Sequence, residues 1–552
     1  MLQVAFLGGV GEFGKNMTVL EQDGAILVVD AGAMFPEADL PGIDRVIPDL
    51  TYLEENRDRV VGLVLTHGHE DHIGAAPFLL ERVPVPVWSA ALTLGFLKRK
   101  LSESEAEPTA LTELKPGQSA AIGPFRVEPI PVTHSIPDAC SLVIRTRDAT
   151  IVHSGDFKFD QSPLDGRRTH YHRFQEVGEE GVTALLIDST NVEVEGMTGS
   201  ETVAAGALEK YMAEQEGQIV ISLFSTNLMR IQAIYGLAAK YGKKVALFGR
   251  TLVSNCKVAE EVGYLRVPGG VSVAVEDVPG LPRNEVIVLA TGSQGEPTAA
   301  LNRIAFEENR HLRFEEGDLL LHSARLIPGN EKRIGRIINQ VYRKGAEVVT
   351  ARNDRIHVSG HAAQEEIKLL ASWIRPKYYV PIHGEFRQLK GNAALAWQMG
   401  VPREHTLLRE NGDALLFEKG ELTGSGQVPV GSLLIDGDSR DPVDHVVVRD
   451  RRHLATDGVV MPVVVMNLQK GRLESSPEVV SRGYSYLEGD SESAQKAHSE
   501  VRAKIQSMLE SLPAEELRDG TIVKAKVKSC VKKCLKATDQ PIPLIIPVVM
   551  EI

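Results

Sequence analysis

The chain has 552 residues, 43% hydrophobic and 24% charged, with a formal net charge of −13. That length exceeds what one hydrophobic core serves and implies about three domains, and no apolar run reaches the roughly 18 residues of a membrane-spanning helix. Four irregularly spaced cysteines, Cys140, Cys256, Cys530 and Cys534, give no disulfide framework or second metal-binding pair and fit the reduced thiols of a cytoplasmic protein, as does a start that enters a strand without signal-peptide charges.

Residues 4–7 read as a strand and run into Gly9-Val10-Gly11-Glu12-Phe13-Gly14-Lys15, which fits G-x-G-x-x-G, with Asp30 about 20 residues downstream as a dinucleotide fold would want. Asn16, however, stands where a phosphate loop wants Ser or Thr, and residues 17–22 read as strand rather than helix. The expectation is therefore a tight glycine turn between two strands. The next apolar run, 60–65, ends at Thr66-His67-Gly68-His69-Glu70-Asp71-His72-Ile73-Gly74, and residues 75–80 can continue as a helix. Three imidazoles and two carboxylates at one strand-to-helix turn suit Zn²⁺ or Mn²⁺. His67 and His69 can reach one ion, while Asp71 and His72 project toward a second.

Further candidate ligands close later apolar segments: His134 after 127–133, Asp156 after 150–155 and His383 after 378–382. Site one would then hold His67, His69 and His134, site two Asp71, His72 and His383, with Asp156 bridging. Two ions about 3.5–4 Å apart can share a hydroxide and clamp an in-line phosphoryl displacement. Because His383 lies far downstream, the intervening chain must leave the metal-binding domain and return. Residues 1–204 and 361–438 are expected to form the host and 205–360 the insert, with parallel strands at 219–224, 244–248 and 286–290 between amphipathic helices. The cluster Asp436-Gly437-Asp438-Ser439 and Pro442 predict a boundary, with a linker at 439–449. A small α/β domain follows over 450–552, with a strand at 459–466 and a helix at 493–512.

HGHEDHIG, PVTHSIPDA, HSGDFKFD, SGHA and PIHGE, in that order, resemble the metallo-β-lactamase superfamily and its β-CASP nucleic-acid-processing branch. GSQGEP (292–297), IPGNE (327–331), HVSGHA (357–362) and VRDRRHL (448–454) are similar to the bacterial RNase J family, and the resemblance covers essentially the whole chain. It implies an α/β fold: a metallo-β-lactamase αββα sandwich, an inserted β-CASP α/β domain and a small C-terminal α/β domain. It further implies two Zn²⁺ per subunit, with Mn²⁺ or Mg²⁺ supporting activity. The implied activity is 5′→3′ exonuclease action on 5′-monophosphate single-stranded RNA plus endonuclease action, in RNA decay and maturation. A homodimer and RNA-degradation complex partners belong to the same implication.

Carried over by position, Asp30 supports the ligands, and Asp188, His361 and His383 match the three β-CASP motifs. A histidine at the third is the RNA-processing form. Ser225, Thr226 and Asn227, with His357, Val358, Ser359, Gly360 and His361, match segments that bind substrate phosphates. Asp71 belongs to the catalytic set, His361 is suited to protonate the leaving oxygen, and Asp188 to hold its orientation.

An acidic chain is an unusual polyanion binder. Local basic groups are Arg325, Lys332, Arg333 and Arg336, and Lys524, Lys526, Lys528, Lys532, Lys533 and Lys536, which have no acid between them. A narrow basic channel under an acidic exterior reconciles the two. The competing readings are an endonuclease of the same branch, a thioester or lactone hydrolase on the metal scaffold, and a non-catalytic RNA-binding scaffold.

Overall fold

The computed structural model describes residues 1–36, 40–327, 329–437, 441–489, 491–536 and 540–552. They fall into two compact units, residues 1–34 with 46–432 and residues 35–45 with 433–552.

Alternation builds the frame of the first unit. Along Leu2–Gly8, Leu2, Val4 and Phe6 point to one face, as period-two strands require. An eight-stranded sheet runs from Glu421–Gln427 through Asp413–Glu418, Leu2–Gly8, Met17–Gln22, Ala25–Val29, Val60–Val64 and Val87–Ser89 to Leu111–Glu113. Met17–Gln22 lies antiparallel to Leu2–Gly8 and to Ala25–Val29, so residues 9–15 connect two strands as expected, but they are more than a turn: Val10–Gly11 pairs with Gly384–Glu385. A six-stranded sheet runs Tyr378–Ile382, Ala184–Asp188, Thr150–His153, Cys140–Arg145, Phe125–Pro131, Ala120–Ile122. One core joins the two: Val4, Phe6, Leu27, Val29 and Phe417 from the first meet Leu142, Ile144, Ile151, Leu186 and Val380 from the second. Ala91–Ser102 packs on the first sheet, and Gln364–Ile374 and Phe386–Gln398 pack on the second. This is the αββα sandwich expected.

The insert has a six-stranded, wholly parallel sheet in the order Ser272–Val273, Lys244–Phe248, Val286–Ala290, Ile219–Ser222, Leu319–His322, Glu347–Thr350. Its central strands, Val286–Ala290, Ile219–Ser222 and Leu319–His322, are buried along their whole length, as cover on both faces demands. After Ile219–Ser222 the chain first builds one side of the sheet, then returns to build the other from Leu319–His322. The two neighbouring strands are thus a topological switch point, where loops at the carboxyl ends form a crevice. Residues 225–227 and 323–327 are those loops.

In the second unit Val459–Asn467 is the shared strand. It pairs antiparallel with Arg472–Leu473 and Glu478–Arg482 and parallel with Leu544–Ile545 and Val548–Glu551. Glu492–Glu510 and Gly520–Lys536 pack on each other. Val523, Val527, Val531 and Leu535 are buried four residues apart, which turns the six lysines of this helix outward.

Part of the expected boundary, 438–439, lies outside the described residues. The end of the expected linker differs: residues 445–449 open the helix His445–Thr456. The Asp444 carboxylate accepts from Val446 N at 2.7 Å and Val448 is buried, so a capped, anchored turn replaces open chain. Among the described residues no helix is long and apolar enough to cross a membrane.

Candidate metal centre

The strand Val60–Val64 delivers Thr66 and His67 to the sheet's carboxyl edge. His69 then precedes the short helix Glu70–Ile73, which turns Asp71 and His72 back toward the same point. His134 follows Phe125–Pro131, Asp156 follows Thr150–His153, Asp188 closes Ala184–Asp188, and His383 follows Tyr378–Ile382. Adjacent strands thus bring to one edge residues scattered through the sequence. Asp30 and His383 leave their strands in the left-handed region, with φ of 61° and 55°. That conformation is tolerated by Asp and His more readily than by branched residues.

Two donor groups result. His67, His69, His134 and Asp156 form one, and Asp71, His72, Asp156 and His383 the other, each with ligand atoms within 4.8 Å of one another. His67 Nε2 and His134 Nε2 each lie 3.1 Å from His69 Nδ1. His383 Nε2 stands 3.2 Å and His72 Nε2 3.6 Å from Asp71 Oδ2. Both Asp156 oxygens are buried without a hydrogen-bond donor among the described residues, the nearest imidazole nitrogen being His72 Nε2 at 3.3 Å. A carboxylate so placed costs several kcal/mol unless a cation meets it. The residues therefore fit a pair of divalent ions sharing Asp156, and an all-imidazole and carboxylate donor set suits Zn²⁺ or Mn²⁺.

The outer nitrogens are occupied in the way ligating histidines require. His72 Nδ1 lies 2.7 Å from Asp30 Oδ2, whose carboxylate also accepts from Thr66 N and Oγ1 at 2.8 Å. His134 Nδ1 donates to Gly360 O at 2.6 Å, and His383 Nδ1 meets Thr190 Oγ1 at 2.5 Å. These bonds leave Nε2 lone pairs pointing inward. A Cβ on Gly360 would stand 2.8 Å from His134 Cε1, so only glycine lets the 357–361 segment approach this ligand.

Burial, reinforced by neighbouring histidines, holds His67 and His134 well below the ordinary imidazole pKa, and burial lowers His69 to about 4. Burial opposes charge on His72 and His383 too. There the surrounding carboxylates, Asp156 foremost, prevail and raise both. The second position thus sits in strongly negative potential, the field a cation would enter.

His361 lies beside the ligands without belonging to either four-residue group, and with Asp156, Asp188 and His383 it forms a third cluster. Its Nδ1 is 2.9 Å from Asp188 Oδ2. Burial works against its charge, but Asp188 and then Asp156 raise its pKa. His357, Val358, Ser359 and His361 are half-buried and Gly360 is buried. Ser225 and Thr226 are half-buried at the crevice, whereas Asn227 is buried and its Oδ1 accepts from Arg230 N as a helix cap. Arg325 donates to Asn191 Oδ1 at 2.9 Å, and Asn191 Nδ2 in turn donates to His361 O. Lys332, Arg333 and Arg336 are exposed on the helix Glu331–Arg343.

Several supporting residues escaped the sequence reading. Asn16, singled out only as a misfit to a nucleotide loop, donates to Asp71 O from backbone and side chain at 3.1 and 3.0 Å. The glycine turn thereby fastens the ligand turn. Glu366, fully buried, accepts from Phe159 N, Thr198 N and Ala363 N. Thr190 and Asn191 were detectable as polar residues just past the strand that carries Asp188. Arg230 and Glu201 lie in ordinary helical stretches and carried no signal.

Comparison with known proteins agrees along the chain. Residues 10–212 match the model of the metallo-β-lactamase superfamily, 216–341 the ribonuclease J β-CASP domain, 347–405 a Zn-dependent metallo-hydrolase RNA specificity domain, and 446–552 the ribonuclease J C-terminal domain. Ribonuclease J of Thermus thermophilus is 39% identical over all of this chain and 95% of its own length. Ribonuclease J of Mycobacterium tuberculosis is 38% identical over all of this chain and 97% of its own, and ribonuclease J2 of Bacillus subtilis 36% over all and 99%. A crystal structure of a protein of unknown function from Enterococcus faecalis V583 shares the fold over 75% of this chain and 99% of its own, with a TM-score of 0.53 at 18% identity.

Proposed function

The chain belongs to the ribonuclease J family of metal-dependent ribonucleases, and from that premise we propose that it degrades single-stranded RNA from the 5′ end. In this reading it favours a 5′-monophosphate, also cuts internally, and serves RNA decay and maturation. The observation that carries it is Asp156, a buried carboxylate without a donor among the described residues, set between two candidate ligand groups with the His361–Asp188 pair alongside. A thioester or lactone hydrolase would need neither that pair nor a second domain over the site.

Site one is His67, His69 and His134, site two Asp71, His72 and His383, and Asp156 spans both, for two Zn²⁺ per subunit with Mn²⁺ or Mg²⁺ supporting activity. Such ions, when bound, supply an activated water and offset charge on the phosphate oxygens. The remaining work falls to the chain. Ser225, Thr226 and the 357–361 segment hold phosphates so that the scissile P–O3′ bond lies in line with the incoming oxygen. His361, charged and oriented by Asp188, gives its proton to the departing 3′-oxygen. The products carry a 5′-phosphate and a 3′-hydroxyl. A closed end of the channel beside Ser359, Gly360 and His361 admits a monophosphate and excludes a triphosphate. The working form is a cytoplasmic homodimer open to RNA-degradation partners.

The test is paired digestion of single-stranded RNA and matching DNA, with 5′-monophosphate or 5′-triphosphate ends, with and without chelator. Chelator-sensitive release of mononucleotides from monophosphorylated RNA is expected. Internal fragments alone would assign the endonuclease reading instead, and RNA left intact with metal present would refute both.

A further inference from the structure

Arg230 is among the largest fully buried side chains of the protein, 1% exposed. Its guanidinium grips the equally buried Glu201 through Nε and Nη2, with contacts of 2.8 to 3.1 Å. Nη1 has other partners: Ser323 O at 2.9 Å, Ser323 Oγ at 3.2 Å, and His357 Nδ1 at 3.0 Å. Ser323 Oγ donates onward to Ile356 O. One cation thus joins the helix Glu201–Glu214, the helix Leu228–Lys240, the loop after Leu319–His322 and the chain entering the 357–361 segment.

The contact with His357 has one chemical reading. A guanidinium donates only and stays protonated at any physiological pH, so the nitrogen facing it must offer a lone pair. His357 Nδ1 is therefore bare and the ring proton sits on Nε2. Among the described residues nothing accepts from that Nε2–H, and the ring is half-buried beside the crevice. We propose that Arg230 is a positioning residue for substrate binding, holding His357 as the uncharged Nε2–H tautomer that donates to a phosphate oxygen of the RNA. The inference rests on the reading that residues 357–361 bind phosphates.

The surroundings work in the same direction. His357 is faced by Arg230, by Lys158 from the segment after Asp156, by His322 from the neighbouring strand end, and by Arg325, while the Glu201 carboxylate is engaged by Arg230. Burial first, then Arg230, keeps the ring's pKa well below the ordinary value. An ordinary histidine would change charge near pH 6.5. This one delivers a constant donor across that range, so the phosphate contact does not vary with intracellular pH.

The test uses the full-length, Zn²⁺-loaded protein labelled with ¹⁵N-histidine, the His357 signals being assigned by their loss in His357→Gln. Nitrogen shifts of an Nε2–H tautomer, unchanged from about pH 5.5 to 8, are expected; an Nδ1–H tautomer or a titration near pH 6.5 overturns the proposal. This measurement stands on the unmutated chain, so it decides even where substitution of Arg230 prevents folding. In folded Arg230→Gln/Glu201→Gln, which leaves no unpaired buried carboxylate, no guanidinium fixes the proton on Nε2, so Nδ1–H signals should appear and KM for 5′-phosphorylated RNA should rise while kcat changes less. An Nε2–H tautomer held as firmly as before, with KM unchanged, also overturns it. His357→Ala should raise KM roughly tenfold. An unchanged KM with the Nε2–H tautomer intact would instead overturn the phosphate-contact reading and leave the tautomer assignment standing.

Discussion

His361 and Asp71 belong to neighbouring clusters that share Asp156 and His383, yet their removal should be told apart. His361→Ala is expected to lower kcat by 10²-fold or more with metal content unchanged, whereas Asp71→Ala should lose both activity and site-two metal. Metal analysis beside a cleavage assay checks the pair: full activity in His361→Ala ends its acid role, and unchanged stoichiometry in Asp71→Ala ends its ligand role. The pH dependence follows from the Asp188–His361 contact. The His361 pKa is raised above its ordinary value, so the protonated acid persists through the usual histidine range and is lost as pH rises through the raised pKa. The kcat profile should therefore fall on its alkaline side, above about pH 6.5. Asp188→Asn removes the carboxylate charge that most favours the protonated ring and should move that limb to lower pH; a limb that stays put would exclude Asp188 as its cause. Most of these residues were legible in the sequence because imidazoles and carboxylates crowded into one turn after an apolar strand are costly to pack without a cation. Arg230 and Glu201 were not: each is a lone charge in an amphipathic stretch, and only burial reveals that they meet.

At the scale of elements, the candidate ligands come together because strands end where polar residues interrupt apolar runs, and both sheets end at the same edge. The linker was misjudged for a local reason. An Asp/Gly-rich cluster signals a turn, but it does not show that Asp444 caps a helix directly afterwards. Glu366 shows what sequence hides at this scale. Its carboxylate accepts three backbone N–H groups, from the loop after Asp156, from the chain entering Glu201–Glu214 and from the start of Gln364–Ile374. The first turn of a helix is an ordinary position for Glu, so nothing marked it as the tie between the two host segments that flank the insert. Glu366→Ala leaves those donors buried and unpaired and should cost about 2–4 kcal/mol of stability. Denaturant titration reads this as a lower midpoint at constant slope, and a loss within about 0.5 kcal/mol would show that water replaces the carboxylate.

For the whole molecule, the net charge of −13 is unevenly spread along the chain. Residues 450–552 carry fifteen Lys and Arg against fourteen Asp and Glu, so the acidic excess belongs to the first 449 residues, where the ligand carboxylates are. RNA must then be held by local positive groups rather than by the global field. Affinity should fall steeply with salt, the logarithmic slope being about −0.7 per phosphate contacted; a flat response would rule out a basic channel. His383 has a different consequence. It meets Asp71 across 312 residues of chain, and the whole insert is made between them. On the proposed ligand set, a polypeptide still emerging from the ribosome lacks a complete second metal position until residue 383 is out. In that reading synthesis itself acts as a safety catch: the nascent chain stays unarmed until most of its own message has been read.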